Sequence, residues 1–430
     1  MLRLLCAVQH YEWGRIGAAS EVGRLHALAS GEDVEDIPYA ELWMGTHRSG
    51  PSRVVAEDKS EVLLKDWLDT HPEALGQNVI ERWEGELPFL FKVLSVAKAL
   101  SIQAHPDKKL GQYLHETQPH NYKDANHKPE MALALTPFEA LCGFVTPEEL
   151  KQAVETVPEL RSVLGEATSE ALIQLGQCKV SGDESKRKLK EAYTILMTLR
   201  NDVVSSTVSQ LVIRLVEEKE VRQLTEKEEL VLRLEKQYPA DIGVLSIFFL
   251  NYLRLSPGEA VCLGANEPHA YLSGEIIECM AASDNVVRAG FTPKYRDTQT
   301  LCSMLTYKQG LPDMLTGTPV SACTTRYTPP FDEFEVDHIV VPVGESINFE
   351  NLGPSIFIVF EGIGVVAQSD RQTVTSVKKG DVFFVSAGQN FEIAATVEVD
   401  EDVAPAVQAP LHLYRAGVNS CLYHTHHNAT

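Results

Sequence analysis

The chain has 430 residues, of which 44% are hydrophobic and 23% charged, and its formal net charge is −22 at pH 7. This composition is that of a globular protein with room for about three domains, and the acidity argues against nucleic acid or an anionic membrane as a partner. No apolar run approaches the roughly 18 residues that span a bilayer. The N-terminus turns polar at Gln9, too early for a secretory signal. Eight cysteines are dispersed without a C-x-x-C pair, so we expect reduced thiols and a cytoplasmic location.

The first 146 residues combine short strand patterns with turns and one helical segment between Ser60 and Arg82. In that segment the stretch Glu61-Val-Leu-Leu-Lys-Asp-Trp-Leu has apolar residues three and four positions apart. This spacing predicts a helix that begins at Ser60.

Two further segments of this region concentrate polar side chains. They are Ser101-Ile-Gln-Ala-His-Pro and His127-Lys-Pro-Glu. A β-branched residue and the prolines favour extended backbone in both segments. Because alternate residues of a strand share a face, Ser101, Gln103 and His105 should point into one cavity. Lys128 and Glu130 should likewise share a face.

These side chains suit a divalent metal. Imidazole and carboxylate are ordinary zinc ligands, and a catalytic zinc keeps one position open. A fourth protein ligand is available downstream in Asn266-Glu-Pro-His-Ala-Tyr. We therefore predict one zinc ion per chain, held by Gln103, His105, Glu130 and His269, with space for a fifth ligand. The alternative is that these are ordinary polar residues of strands beside turns.

Residues 147–239 differ in character from the rest of the chain. They are rich in Glu and Lys, poor in aromatic residues, and show helical periodicity over Lys186–Arg200 and Val203–Glu218. We interpret this block as an all-helical insertion that covers one side of the site and supplies no catalytic group.

Strand patterns return over Ile242–Leu250 and Leu255–Val261, and again from about residue 311. Both Leu255-Ser-Pro-Gly-Glu-Ala and Lys379-Gly-Asp-Val-Phe-Phe combine a turn with the start of a strand, which indicates a repeated jelly-roll unit. The later unit has no Gln-x-His or Pro-His pair. The tail histidines from His424 to His427 favour a frayed end over a metal site.

The predicted fold class is mainly β with an α-helical insertion, built as tandem jelly-roll (cupin-like) β-sandwich domains. The predicted domains are a catalytic metal-binding jelly roll of residues 1–146 plus 240–310, a helical insertion of residues 147–239, and a C-terminal jelly roll of residues 311–430 without a metal site.

Seven segments between about residues 6 and 306 resemble a known family in the order in which they occur. They are Tyr39-Ala-Glu-Leu-Trp-Met-Gly-Thr-His, Leu87-Pro-Phe-Leu-Phe-Lys-Val-Leu, Ser101-Ile-Gln-Ala-His-Pro-Asp-Lys, Asn126-His-Lys-Pro-Glu-Met-Ala, Pro137-Phe-Glu-Ala-Leu-Cys-Gly-Phe, Ala265-Asn-Glu-Pro-His-Ala-Tyr-Leu-Ser-Gly and Asp284-Asn-Val-Val-Arg-Ala-Gly-Phe-Thr-Pro-Lys. Together they resemble type I mannose-6-phosphate isomerase (phosphomannose isomerase). Arg48 replaces a frequent proline of the family and Phe291 a usual leucine, and neither is a candidate ligand.

The resemblance implies an aldose–ketose isomerase that interconverts mannose 6-phosphate and fructose 6-phosphate by proton transfer between C1 and C2 through an enediol. It also implies that Arg288 is an active-site residue, for which a salt bridge to Asp284 is the alternative. Glu278 is our candidate base, because burial would raise its pKa, and its alternative is a buried pair with Arg288. Lys128 is the candidate for moving protons between the substrate oxygens.

Five residues are candidates for binding the substrate. Ser101 and Lys294 would contact the phosphate, since a hydroxyl donates a hydrogen bond and an ammonium supplies a point charge. Lys92 has apolar neighbours in the sequence, so a position lining the core is as plausible as a contact with the substrate. Tyr271 and Trp13 would form walls around the sugar, although aromatic residues in such a setting are more often part of the core.

A different class of protein remains possible. Jelly rolls with His and Glu ligands include non-heme iron oxygenases and sugar-binding modules without catalytic activity, so a metal-binding cupin oxygenase or a non-catalytic sugar-binding cupin is the alternative. The resemblance also implies a role in carbohydrate metabolism and GDP-mannose biosynthesis. We expect a small phosphosugar as the substrate and a monomeric protein.

Overall fold

The computed structural model describes residues 1–56, 58–178, 182–368, 374–396 and 409–424. The tail histidines from residue 425 onward lie outside the described residues. Elements are numbered in chain order.

In the first 146 residues the elements are β1 (Leu2–Leu5), β2 (Ala7–Gln9), β3 (Arg15–Ile16), α1 (Glu21–Ser30), β4 (Pro38–Tyr39), β5 (Glu41–Met44), β6 (Arg53–Val55), β7 (Glu61–Leu63), α2 (Leu64–Thr70), α3 (Gln77–Trp83), β8 (Phe89–Val96), β9 (Ile102–Ala104), α4 (Lys108–Thr117), β10 (Glu130–Ala134) and β11 (Phe138–Phe144). The helices that follow are α5 (Pro147–Thr156), α6 (Pro158–Leu164), α7 (Glu166–Cys178), α8 (Asp183–Met197), α9 (Asn201–Lys219), α10 (Glu226–Gln237) and α11 (Gly243–Ser246). The remaining elements are β12 (Leu250–Leu255), β13 (Ala260–Leu263), β14 (His269–Ala281), β15 (Val287–Gly290), α12 (Thr298–Met304), β16 (Met314–Leu315), β17 (Thr318–Ser321), β18 (Thr324–Tyr327), β19 (Glu335–Val341), β20 (Ser346–Phe349), β21 (Ser355–Glu361), β22 (Ile363–Gln368), β23 (Val374–Lys378), β24 (Val382–Val385), β25 (Phe391–Ala395), β26 (Leu411–Gly417) and α13 (Cys421–His424). Short 3₁₀ helices occupy Gly17–Ala19, Pro72–Leu75 and Ile247–Phe249.

The strands form stacked antiparallel sheets, which confirms the predicted fold class of jelly-roll sandwiches with a helical insertion. One sheet has the order β16-β13-β10-β14-β8-β5-β2 and is joined through β14 to β9, β11, β12 and β15. A second has the order β17-β18-β19-β26-β21-β24-β1-β6-β7, and a third has the order β20-β25-β22-β23. The first sheet carries the residues of the candidate site.

Hydrophobic side chains fill the space between the sheets. Phe91 and Ile277 of the first sheet pack in one core cluster with Ile356 and Phe384 of the second. On the other face of the second sheet, Phe357 and its neighbours pack against the third sheet. The central strands β21 and β24 of the second sheet are therefore buried on both faces, and both are nearly continuous apolar runs.

The second sheet joins distant parts of the chain. Strand β1 pairs with β24 on one side and with β6 on the other. The N-terminal strands thus complete a sheet whose other members all follow residue 317, and the two ends of the chain share one hydrophobic core.

The helical block α5–α10 packs against strands β9, β11 and β12 of the first sheet. Two of its helices begin with capping boxes, in which Thr146 pairs with Glu149 and Thr225 with Glu228, so that backbone N–H groups at the helix start are satisfied. Their buried leucines and valines form one cluster with residues of the sheet.

Two local predictions were wrong. Residues 61–63 form a strand and the helix begins at Leu64, because pairing of this segment with β6 satisfies its backbone. Residues 243–249 are helical and 3₁₀, with the strand beginning only at Leu250. The run from Ile242 to Leu250 is buried on every side, and the periodicity of such a run cannot distinguish a helix from a strand.

Candidate active site and metal centre

A cavity of about 620 Å³ opens on the first sheet. Ten of the twelve predicted site residues line it: Trp13, Lys92, Ser101, Gln103, Lys128, Glu130, Tyr271, Glu278, Arg288 and Lys294. The other two, His105 and His269, are buried directly behind Glu130. Residues that are far apart in the sequence are therefore brought together around one space.

His105, Glu130 and His269 form a compact group of potential metal ligands. Their ligand atoms all lie within 4.8 Å of one another. The Nε2 atom of each imidazole is 3.4 Å from an oxygen of Glu130, and the three side chains are at most 1% exposed. Three ligand atoms this close together can bind a single metal ion.

Both imidazoles are oriented by backbone carbonyls. The Nδ1 atom of His105 lies 2.6 Å from the carbonyl oxygen of Asn285, and Nδ1 of His269 lies 3.0 Å from that of Glu267. Since a carbonyl only accepts, Nδ1 carries the proton in each ring and Nε2 presents its lone pair. Both Nε2 atoms are buried with no hydrogen-bond partner among the described residues. Buried unpaired nitrogens are costly, and a metal ion would satisfy them, so these residues fit a zinc ion.

The protonation states also suit a metal. Burial lowers the pKa of His105 to about 4, which keeps the ring neutral. Burial alone would raise the pKa of Glu130, but the nearby charge of Lys128, together with the contacts to the two imidazoles, outweighs it and holds that pKa well below its usual value. A neutral imidazole and an ionised carboxylate are the forms that bind metal.

Gln103 reaches the same place from a neighbouring strand. It lies opposite His269 in the pairing of β9 with β14, and opposite Arg288 in the pairing of β9 with β15. Its side chain lines the cavity, so it stands beside the group formed by the two histidines and Glu130.

A β-bulge in β14 brings both ends of this long strand to the cavity. His269 and Glu278 are nine residues apart, so they would face opposite sides of a regular strand. The register shifts opposite Glu139 and Ala140, and Gly274 has φ 112°, where an added Cβ would lie 2.6 Å from a backbone oxygen. The bulge reverses the alternation, and Glu278 consequently faces the same cavity as the metal ligands.

Glu278 is held by a lysine. The Nζ atom of Lys92 is 2.8 Å from Glu278 and 3.2 Å from Glu41, and all three residues are buried. Burial alone would lower the pKa of Lys92, but the two carboxylates outweigh it and raise that pKa. For Glu278, burial raises the pKa, and the charge of Lys92 only partly opposes this effect. The alternative in which Glu278 pairs with Arg288 is therefore not what the structure shows.

Lys128 reaches the cavity from the loop before strand β10, and Arg288 reaches it from strand β15. Nζ of Lys128 is 3.0 Å from Glu130, although Lys128 itself precedes strand β10. Arg288 is half-buried, and burial lowers its pKa. The alternative partner of Arg288, Asp284, instead lies 3.3 Å from Nε2 of His47 and 3.5 Å from the guanidinium of Arg48.

Three of the cations that line the cavity are available to an anionic group. Arg288, Lys294 and Lys98 all line it, and among the described residues none of the three forms an ion pair with a carboxylate. Lys98 stacks on the ring of Tyr238, with Nζ 4.4 Å from the ring centroid. In a chain of net charge −22, cations without a carboxylate partner suit an anionic group.

The two predicted aromatic walls differ in their exposure. Tyr271 is 2% exposed and packs edge-on against Phe138, with ring centroids 5.5 Å apart. Trp13 is partly exposed and contacts Tyr11, with ring centroids 5.8 Å apart. Both line the cavity.

Sequence reasoning missed several residues of the cavity. Lys98 precedes Ser101 by three positions without any pattern that marks it. Glu41 lies within one of the family-like segments and is brought to Lys92 only because β5 pairs with β8. Tyr238 belongs to the helical insertion, and its contact with Lys98 is long-range.

Comparison with known proteins identifies relatives of this chain. The sequence-family model of the type I phosphomannose isomerase catalytic domain matches residues 1–146. The family model of the helical insertion domain of type I phosphomannose isomerase matches residues 163–250. Mannose-6-phosphate isomerase 2 of Arabidopsis thaliana is 50% identical and covers 98% of this chain and 95% of its own length. Human mannose-6-phosphate isomerase is 41% identical over 92% of this chain and 96% of its own. The structure of the Salmonella typhimurium mannose 6-phosphate isomerase bound to substrate and a zinc atom has a TM-score of 0.79 at 28% identity, and covers 97% of this chain and 99% of that one. With these matches over nearly its full length, the chain belongs to the type I phosphomannose isomerase family.

Proposed function

We propose that this chain is a zinc-dependent aldose–ketose isomerase that interconverts mannose 6-phosphate and fructose 6-phosphate. The observation that carries the proposal is the buried group of His105, Glu130 and His269, whose unpaired Nε2 atoms stand behind a cavity that also holds Glu278 and Arg288. Membership of the family supports the same reaction.

We assign the metal to Gln103, His105, Glu130 and His269. When bound, a zinc ion supplies a Lewis acid that stabilises negative charge on a substrate oxygen. A neutral amide among the ligands leaves more positive charge on the ion than a second carboxylate would.

Proton transfer is assigned to Glu278 and Lys128. Glu278 removes the proton from C2 of open-chain mannose 6-phosphate and returns it to C1, and burial raises its pKa toward the range that suits a general base. Lys128, held 3.0 Å from Glu130, moves the proton between O1 and O2. Arg288 stabilises the enediolate, because a preorganised guanidinium in a half-buried site acts most strongly on charge that develops during reaction.

The phosphate is assigned to residues of the cavity lining that form no ion pair among the described residues. Ser101 donates a hydrogen bond, while Lys294 and Lys98 supply point charges. Lys92 is occupied by two carboxylates, so its role is to set the charge of Glu278 more than to contact the phosphate. Tyr271 and Trp13 flank the sugar.

We also propose the domain boundaries, compartment and assembly expected from the sequence. Residues 1–146 plus 240–310 form the catalytic jelly roll, 147–239 the helical insertion and 311–430 a second jelly roll without a metal. We propose a cytoplasmic monomer that acts in GDP-mannose biosynthesis. The seven cysteines whose side chains are described are free thiols, as is usual in reducing compartments. Light scattering after size exclusion measures the assembly directly. Among the described residues, no helix has both the length and the apolar character needed to cross a membrane.

The deciding experiment measures isomerisation of mannose 6-phosphate before chelation, after prolonged chelation and after zinc is restored. Turnover should be lost and then recovered. His269→Ala should bind less zinc, while His26→Ala, a partly exposed histidine away from the cavity, should keep one zinc per chain and full turnover. Undiminished turnover by fully metal-free protein would contradict the metal assignment. Phosphosugar binding without turnover would indicate a binding module, and oxygen consumption an oxygenase.

A further inference from the structure

One contact links the candidate active site to the C-terminal jelly roll. The loop of residues 124–129, here called the lysine loop, carries Lys128 toward the cavity. The Nε2 atom of His127 in this loop lies 2.6 Å from Oε1 of Glu333, and the two side chains are 24% and 10% exposed. Because an ionised carboxylate only accepts, Nε2 of His127 is the donor.

The ends of the lysine loop are held within the catalytic part of the chain. Asn126 Nδ2 donates to the carbonyl of Ala282 at 3.1 Å, and Asn285 Nδ2 donates to the carbonyl of Asn126 at 2.9 Å. Farther along, the backbone N–H of Ala281 donates to Pro129 at 3.0 Å. These bonds leave His127 and Lys128 between two anchored ends, and Glu333 holds this middle portion.

Glu333 stands on a rigid base. The next residue, Phe334, is 0% exposed and belongs to the core between the two large sheets. Phe331 contacts Phe334 with ring centroids 6.0 Å apart, and Asn419 Nδ2 donates to the carbonyl of Phe331 at 2.8 Å. Burial alone would raise the pKa of Glu333, but its hydrogen bond with His127 outweighs this and lowers the pKa. An ionised carboxylate next to a well-packed core residue therefore contacts the loop.

We propose that Glu333 is a positioning residue for isomerisation: through His127 it fixes the lysine loop, and thereby the amine of Lys128 beside Glu130. The inference rests on the proposed isomerase function. It gives the C-terminal jelly roll a part in catalysis, although that domain contributes no group to the cavity lining among the described residues.

The expected effect follows from what the loop carries. A displacement of about 1 Å at a catalytic group can lower a rate by on the order of a hundredfold. The proposed phosphate contacts lie on other segments, so binding of the resting substrate should change little. Glu333→Ala should thus lower kcat on the order of tenfold or more and leave KM within about twofold.

The experiment compares Glu333→Ala with Glu333→Gln and with Asp332→Ala. Glutamine keeps an oxygen that accepts from His127 and should retain most of the turnover. Asp332 is the matched control from the same segment, because its ion pair is with the half-exposed Arg82, away from the loop. Hydrogen exchange of the peptide that spans the lysine loop should accelerate in Glu333→Ala and not in the control, and the zinc content of all three variants should stay at that of the wild type.

A double variant separates positioning from general damage to the fold. If Glu333 acts through Lys128, then Glu333→Ala should lower kcat far less in a Lys128→Ala background than in the wild type. If the two substitutions instead lowered kcat independently, so that their effects multiplied in the double variant, the proposal would be overturned. It would also be overturned if Glu333→Ala had a normal kcat and unchanged hydrogen exchange in the lysine loop. A wild type and an Asp332→Ala variant that both fail to isomerise mannose 6-phosphate would instead refute the proposed function.

Discussion

Replacement of Lys92 by methionine tests the buried charges beneath the cavity. Lys92 is 5% exposed, and its Nζ atom lies 2.8 Å from Glu278 and 3.2 Å from Glu41. Methionine fills a similar volume without the charge. Lys92→Met would therefore leave two buried carboxylates close together with no cation between them.

The size of the effect can be worked out from this geometry. Removing one partner of a buried ion pair destabilises a protein by about 3–5 kcal/mol, because the remaining charge is buried and unpaired. Burial already raises the pKa of Glu278, and Lys92 is the main group that opposes this rise. Without Lys92, the pKa of Glu278 should rise further, and a protonated carboxyl cannot act as a base.

The sign of the pH dependence follows from linkage. A carboxyl whose pKa is higher in the folded state binds its proton more tightly there, so it stabilises the fold at low pH and this stabilisation is lost as the pH rises through the folded pKa. The destabilisation by Lys92→Met should accordingly be larger at pH 8 than near pH 5. The acidic limb of kcat/KM should also move to higher pH.

The assays are urea unfolding at several pH values and the pH profile of kcat/KM. Adding Glu41→Gln to Lys92→Met removes one stranded charge and should recover part of the lost stability. Lys65→Met, which breaks ion pairs of a partly exposed lysine with exposed carboxylates, should cost at most about 1 kcal/mol at any pH. A loss for Lys92→Met as small as that control, with an unmoved acidic limb, would refute the reasoning.

Other expectations concern residues that line the cavity and the helical insertion. Arg288→Ala should lower kcat on the order of a hundredfold or more with a smaller change in KM, since the guanidinium acts on charge that develops in the transition state; a rise in KM alone would make Arg288 a plain phosphate anchor. Lys294→Ala and Lys98→Met should do the reverse and raise KM with little loss of kcat, as steady-state kinetics at several ionic strengths can show. Charge reversals on the exposed helical surface, such as Glu217→Lys with Glu220→Lys, should leave kcat within a few-fold; direct contact of a residue from 147–237 with the metal or the transferred proton would contradict this.

Local chemistry in the sequence was sufficient for part of the site. The prolines and alternation around Gln103, His105 and Glu130 marked them as neighbours in extended segments, and imidazole with carboxylate already suggested zinc. Glu/Lys-rich periodicity marked the helical block, although α8 and α9 begin and end a few residues from the predicted limits. These features depend on a few consecutive residues, which a single sequence displays directly.

The tertiary structure decided which of these residues meet and in what state of charge. The bulge near Gly274 turns Glu278 toward His269, against the simple alternation of a strand. Lys92 pairs with Glu278 because β8 lies beside β14, and Glu333 reaches His127 across 206 positions of the chain. Strand order, register and burial are set by the packing of the whole molecule. A sequence can therefore name the groups that do the chemistry, while their partners and pKa values are determined only when the sheets are assembled.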